Sequence, residues 1–176
     1  MKTKMAYFLA LIALSTGCDK LKDANTIDIS TNLTANIPVT AAKKSVDVTG
    51  AAAAVSFTKT QDLTLASNAD IEPYLSKINS IDLNSLVVTV SGLGSGQTIN
   101  SVSLDVTGVG NVFTQTNITA TNNSFTPVIA AGVLDQVAAR LTGDKKITLT
   151  VSGSASGPMT FTVSLNFETV LTAKVL

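Results

Sequence analysis

Histidine and tryptophan are absent from this 176-residue chain, and cysteine occurs once. The missing histidine excludes a Ser-His-Asp or Cys-His nucleophile and the histidine-bearing zinc sites that carry most metal-assisted hydrolysis. A single cysteine allows no internal disulfide, so apolar packing has to hold the fold. A chain of this length buries about two-thirds of its unfolded surface as one domain, enough to do without staples. Glutamate is scarce as well. Glu72 and Glu168 lie in different halves of the chain, which leaves a carboxylate pair for glycoside hydrolysis unsupported. Asp28, Asp47, Asp62, Asp105, Asp135 and Asp144 are scattered singly and match no calcium-loop spacing.

Charge of one sign is also missing. Twelve basic residues face twelve acidic ones, and aromatics are limited to six Phe and two Tyr. The longest basic cluster is Lys43-Lys44, which reads as a solvated loop, so nucleic acid is excluded as a partner. Gly92, Gly94 and Gly96 lack the strand-to-helix setting and the lysine of a phosphate loop and read as a turn. No cofactor, metal or catalytic residue is expected, and the chain does not read as an enzyme.

What is there begins with the N-terminus. Lys2 and Lys4 precede an apolar run from Ala6 to Leu14, followed by the small residues Ser15, Thr16 and Gly17 and then by Cys18. The run is too short to span a bilayer as a helix and has the charge, apolar and small-residue regions of an export signal. Ser15-Thr16-Gly17-Cys18 resembles the end of the type II signal peptide of bacterial lipoproteins. Ser15 stands where that family usually has an aliphatic residue, with Leu14 one place further away. The resemblance implies removal of residues 1–17 and acylation of Cys18, with 18–26 as lipid anchor and polar tether. It makes the protein a lipid-anchored component of the bacterial cell envelope. The outer membrane or cell surface is the favoured address, and the inner membrane the alternative.

Downstream, apolar and polar residues alternate with period two, the mark of strands with one buried face. Met159, Phe161, Val163, Leu165, Phe167, Leu171, Ala173 and Val175 hold odd positions between polar even ones, disturbed only at Thr169 and Val170. An unbroken strand there would be about 55 Å long, so a bend near Glu168 is expected. Ile27, Ile29, Leu33, Ile37 and Val39 share a second such face. Further strands are expected over 45–50, 55–65, 83–92, 98–107, 112–120 and 147–153.

Two stretches switch to helical spacing. In 67–79, Ile71, Leu75 and Ile78 recur behind the capping candidates Asn68 and Asp70, with Pro73 in the first turn. In 126–142, Thr126 and Pro127 read as N-cap and first residue. Ile129, Val133, Val137 and Leu141 form the apolar face, Arg140 lies near the C-terminus and Gly143 is the stop.

An internal repeat accompanies these elements. Thr89-Val90-Ser91-Gly92 recurs as Thr150-Val151-Ser152-Gly153, and Ser95-Gly96 and Val102-Ser103-Leu104 recur at the same offset of 61, nine identities in one register. Phe57, Thr58 and Thr60 echo Phe113, Thr114 and Thr116 at an offset of 56. Pseudo-repeats over about 55–107 and 112–176 follow, each with a Gly-rich turn, at 93–97 and 154–158, closing a hairpin.

The expected fold is mainly β: a two-sheet antiparallel β-sandwich over 27–176 with two short helices, or else a small β-barrel. A transmembrane barrel is disfavoured, since aromatic girdles are missing. The function these features support is a membrane-anchored, non-catalytic structural or interaction module that meets another envelope protein or a glycan. The alternative is a carrier of lipid or another apolar ligand, with Ile71, Leu75, Ile78, Val133, Val137 and Leu141 lining a cavity between sheets and helices.

Overall fold

A computed structural model describes residues 25–42 and 54–175. Cys18, the tether up to residue 24, Lys43-Lys44 and the strand expected over 45–50 lie outside the described residues. Eight strands and one α-helix follow in the order β1 (Thr26–Ala41), β2 (Val55–Thr64), β3 (Ile78–Ser91), β4 (Thr98–Val106), β5 (Gly110–Thr119), β6 (Ser124–Phe125), α1 (Val133–Asp144), β7 (Lys146–Ala155) and β8 (Met159–Lys174).

They form two four-stranded antiparallel sheets, β1-β8-β3-β6 and β2-β7-β4-β5. β1 pairs with β8, β2 with β7, β3 with β6 and β4 with β5, as in one long hairpin folded over on itself. Rolling that ribbon lays β3 against β8 and β4 against β7. This is the jelly-roll order of a two-sheet sandwich. Among the described residues β1, β6, β2 and β5 are the edge strands and the sheets do not close on each other, so the barrel alternative is not realised.

Period-two alternation sets the core. Every odd residue of β8 from Met159 to Ala173 is buried, and so are Leu33, Ala35, Ile37, Val39 and Ala41 of β1. The second sheet answers with Ile99, Val102, Leu104 and Val106 of β4 and Ile147, Leu149, Val151 and Ala155 of β7. Two edge-to-face aromatic pairs clamp one sheet to the other: Phe57 of β2 on Phe161 of β8, centroids 5.2 Å apart, and Phe113 of β5 on Phe125 of β6 at 6.0 Å.

The last strand is not interrupted at Glu168, the place of the expected bend. β8 runs unbroken for 16 residues, and Thr169 takes an inward place, buried, with its hydroxyl donating to the Phe167 carbonyl at 3.0 Å. The irregularity sits in its neighbour instead. β3 bulges between Leu83 and Ser85, opposite Thr169 and Glu168, and again between Ile78 and Ser80. β4 bulges between Ile99 and Ser101. The extra residue is asparagine each time, Asn79, Asn84 and Asn100. Each bulge moves the buried positions from one parity to the other, as from Ile81 and Leu83 to Leu86, Val88 and Val90.

The Gly-rich turns at 93–97 and 154–158 do not close hairpins. β3 and β4 belong to different sheets, as do β7 and β8, so each turn carries the chain across the sandwich. Burial requires this, because both partners of a turn send their apolar face to the same core from opposite sides. The 61-residue offset superimposes the inward residues of β3 on those of β7 and of β4 on those of β8, with the two sheets exchanged. The echo between β2 and β5 has no such counterpart, since both are edges of one sheet.

Both helical stretches are shorter than their sequence pattern. Between β2 and β3 the chain makes two 3₁₀ turns, Leu65–Ser67 and Glu72–Lys77, and Ile78 already opens β3 opposite Ala173. Only thirteen residues cross from sheet to sheet there, and Asn68 organises them by accepting the Asp70 N–H on its side chain at 2.9 Å. α1 starts at Val133, not at Thr126. Gly132 adopts φ 78°, which no α-helix passes through, and Ser124 and Phe125 are held extended by pairing with Thr89 and Val88. Gly143 lies inside the helix, which ends after Asp144 with Lys145 left-handed at φ 56°.

One glycine is fixed by close approach. A Cβ on Gly153 would stand 2.0 Å from the Ser101 carbonyl oxygen, pushed there by the Asn100 bulge, and 2.9 Å from the Phe57 ring. Gly153→Ala is therefore expected to lower stability by about 3 kcal/mol. Gly157→Ala, where a Cβ meets open space, should change it by less than about 0.5 kcal/mol. Urea denaturation of the two variants checks the contrast.

Candidate functional site

The outer faces of both sheets are covered by short polar side chains that hydrogen-bond to one another across strands. On the first sheet Ser164 donates to Asn36 at 2.8 Å, Thr172 to Asp28 at 2.7 Å and Ser85 to Glu168 at 3.0 Å, while Thr89 and Ser124 bond at 3.0 Å. On the second sheet Thr60 bonds Thr150 at 3.2 Å, Ser103 bonds Thr114 at 2.8 Å and Ser101 bonds Ser154 at 3.2 Å. Alternation puts these residues outside, and antiparallel pairing sets them side by side. Their hydroxyls are engaged with side chains of neighbouring strands, namely other hydroxyls, the Asn36 amide and the carboxylates of Asp28 and Glu168.

Among the described residues, the cluster with shifted proton affinity is at Asp62 on β2. It accepts from the Thr148 hydroxyl at 2.7 Å and pairs with Lys146 at 3.3 Å. The Thr148 hydrogen bond, followed by that of Lys146, holds its carboxyl below the ordinary aspartate value. A lowered pKa makes Asp62 a poorer proton acceptor at neutral pH, the opposite of what a general base needs. Among the described residues no three His, Cys, Asp or Glu side chains gather as metal ligands, and no helix is long and apolar enough to cross a membrane.

The six apolar residues named as cavity lining fall into two groups. Ile71, Val137 and Leu141 are fully buried and belong to the same continuous core as the sheets. Leu75, Ile78 and Val133 are half-buried and pack against that core. α1 lies on β3 and reaches β7, on the side where β6 covers only Val88 and Thr89 of the β3 edge. The 3₁₀ segment is laced to β1 by Thr31, which donates to Asp70 at 3.0 Å, and by Asn68, which donates to the Asn32 carbonyl at 3.0 Å. Leu65 N–H donates to the Lys145 carbonyl at 3.0 Å, which joins this segment to the C-terminal end of α1. Both segments thus close gaps at one end and one side of the sandwich.

Sequence reasoning missed one surface feature. Because the helix begins late, residues 127–134 form an apolar approach to it: Pro127 and Val128 through Ala131, then Gly132, Val133 and Leu134, without one polar side chain. Val128 is 97% exposed, against 37% for Val87, the other exposed large apolar residue. The signal that could have found it is Gly132 in the middle of the helical pattern.

No family model matches the chain, and no curated protein matches it. Among solved structures the chain is similar to one from Desmodium yellow mottle tymovirus, at 13% identity, with a TM-score of 0.33, over 84% of this chain and 90% of that one. A likeness of that degree carries nothing about function, and the fold rests on strand order alone.

The Asp62 cluster yields a direct test. Thr148→Val should raise the Asp62 titration midpoint toward the ordinary aspartate value, read from carboxyl chemical shifts against pH. Since the folded carboxyl titrates low, the cluster stabilises the fold above the unfolded midpoint and loses that contribution as pH falls through the folded one.

Proposed function

We propose that the protein is a lipid-anchored component of the bacterial envelope whose sandwich serves as a non-catalytic interaction module. The observation that carries this reading is the lone cysteine, placed directly after an apolar run and three small residues. An acylated Cys18 leaves six residues before Asn25, a leash of roughly 25 Å at most. The sandwich is thereby kept beside the leaflet without a spanning helix, provided acylation supplies enough buried methylenes for stable anchoring.

Polar, mutually bonded outer faces support a module that recognises surfaces. The described aromatic rings are buried or half-buried, Tyr74 and Phe125 among the latter, so a glycan finds no exposed ring to stack on. This favours an envelope protein over a sugar as the partner, met through side-chain amides and hydroxyls.

Cys18→Ser is expected to abolish incorporation of radiolabelled palmitate and to move the protein from the membrane to the soluble fraction. Unchanged fractionation in that variant overturns the anchoring and the address together.

A further inference from the structure

We infer that the β1–β8 ladder is a mechanical clamp, which holds the sandwich on its N-terminal leash when tension runs along the strands. The inference rests on the anchoring proposed above for the source of that tension and concerns what the fold does under it.

The place where the leash enters decides how force reaches the sheets. Thr26 opens β1 opposite Lys174, and Val175 N–H donates to the Asn25 carbonyl at 2.9 Å, so the leash joins the sandwich at the end where β8 finishes. The turns at 93–97 and 154–158 lie at the other end, about 50 Å away along the sixteen residues of β8. A body pulled against a leash turns until its attachment point faces the leaflet, which brings the strands into line with the force. β1 is then drawn lengthwise past β8, and sixteen paired positions resist together. A pull between two points at the leash end instead opens the same ladder from Thr26 and Lys174, one pair after another.

β1 is built for the first kind of load. Its ladder with β8 is the longest among the described residues and has no register shift, whereas the β3–β8, β4–β5 and β4–β7 ladders each have at least one. Sliding by one residue would turn Leu33, Ile37 and Val39 to water, and sliding by two would keep the faces but break every backbone pair at once. Side chains bridge the ladder at three levels: Thr172 donates to Asp28 at 2.7 Å, Thr34 to Asn166 at 3.4 Å and Ser164 to Asn36 at 2.8 Å. The 3₁₀ segment adds a grip midway, with Asn68 donating to the Asn32 carbonyl and Thr31 to Asp70, both at 3.0 Å. Leu33, Ala35, Ile37, Val39 and Ala41 are at most 3% exposed, so drawing β1 out also wets the core. The strand that continues directly from the leash is thus gripped along its whole length, although it is an edge of its sheet.

The lone cysteine is the natural point of load. The full-length chain made by cell-free synthesis keeps Cys18 as a free thiol, and a second thiol is added at one end or the other. Gly157→Cys places it in a far turn, where a Cβ meets open space, and Lys174→Cys places it at an exposed position beside Thr26. Ser95→Cys, exposed in the other far turn, repeats the first geometry. DNA handles on the two thiols carry each variant in optical tweezers at one loading rate. The expected result is a single rupture for 18–157 and 18–95, at a force about twofold or more above that for 18–174. All three pulls start from the same fold, so the difference reports direction of load and not stability. Equal forces in the two geometries overturn the clamp. An early low-force step in 18–157 that frees β1 and leaves the other strands folded overturns it too. The measurement needs no lipid: if Cys18→Ser leaves fractionation unchanged, the membrane falls as the source of tension, and the force ratio still decides the clamp.

Discussion

The burial of one face of β8 is the constraint on which the rest of the fold depends. Its eight odd residues from Met159 to Ala173 lie under the second sheet, and its two edges carry β1 along sixteen paired positions and β3 along most of its length. A one-residue slip of β8 would turn that whole face to water and bring Thr160, Thr162, Ser164 and Asn166 into the core. Register is therefore set by area, with each large apolar side chain contributing about 1.5 to 3 kcal/mol on full burial. β3 yields where the pattern falters, with its bulge opposite Thr169 while β8 continues unbroken. With no disulfide available among the described strands, this burial, the β1–β8 ladder and the cross-strand bonds of Ser164 to Asn36 and Thr172 to Asp28 tie the first strand to the last across more than a hundred residues of chain.

How much of this can be read from the sequence depends on whether the deciding interaction is local. The alternation in β1 and β8 is a property of each strand, and both were legible in full. The change of parity between Leu83 and Leu86, and between Ile99 and Val102, is equally local and marks the bulges for anyone who counts. Strand partnership is not local. The turns at 93–97 and 154–158 have the composition of hairpin turns, yet they cross the sandwich, because β3 is claimed by β8 and β4 by β7. The helix expected from Thr126 failed for a related reason. Spacing of Ile129, Val133, Val137 and Leu141 is helical, but Phe125 is pulled into a strand by Val88 and Phe113, and Gly132 is free to break the pattern. Of the candidate site residues, Cys18 lies outside the described residues, and the exposure of Val128 was hidden inside an amphipathic pattern that the structure does not follow.

The open edges show how such a sandwich stays separate from its neighbours. β2 is an edge strand, and Lys59 and Gln61 stand opposite Val151 and Leu149, on the face that points inward. Apolar residues would complete the pattern there, but Lys59 is exposed and Gln61 half-buried. A lysine stem can lie along the apolar rim while its ammonium reaches water, and a charge at that place opposes pairing with a foreign strand. On β1 the same office falls to Pro38, which has no N–H to offer an incoming strand and is tolerated because β1 is an edge. The other side is handled by cover, with α1 lying along β3 where β6 is too short.

These protections leave different surfaces free for different partners. The hydroxyl and amide faces have their hydrogen bonds satisfied internally, so a partner must compete for them, and recognition there is governed by geometry more than by affinity per contact. Along 127–134 the apolar side chains pack inward as well, Pro127 buried and Ile129, Val133 and Leu134 against the core, with Val128 left exposed. Under the proposed anchoring the acyl group would hold the sandwich by its N-terminal end, with the polar sheets presented to whatever lies beyond the leaflet. That polar presentation follows from the same alternation that builds the core: strands that spend their apolar residues inward have only polar ones to show.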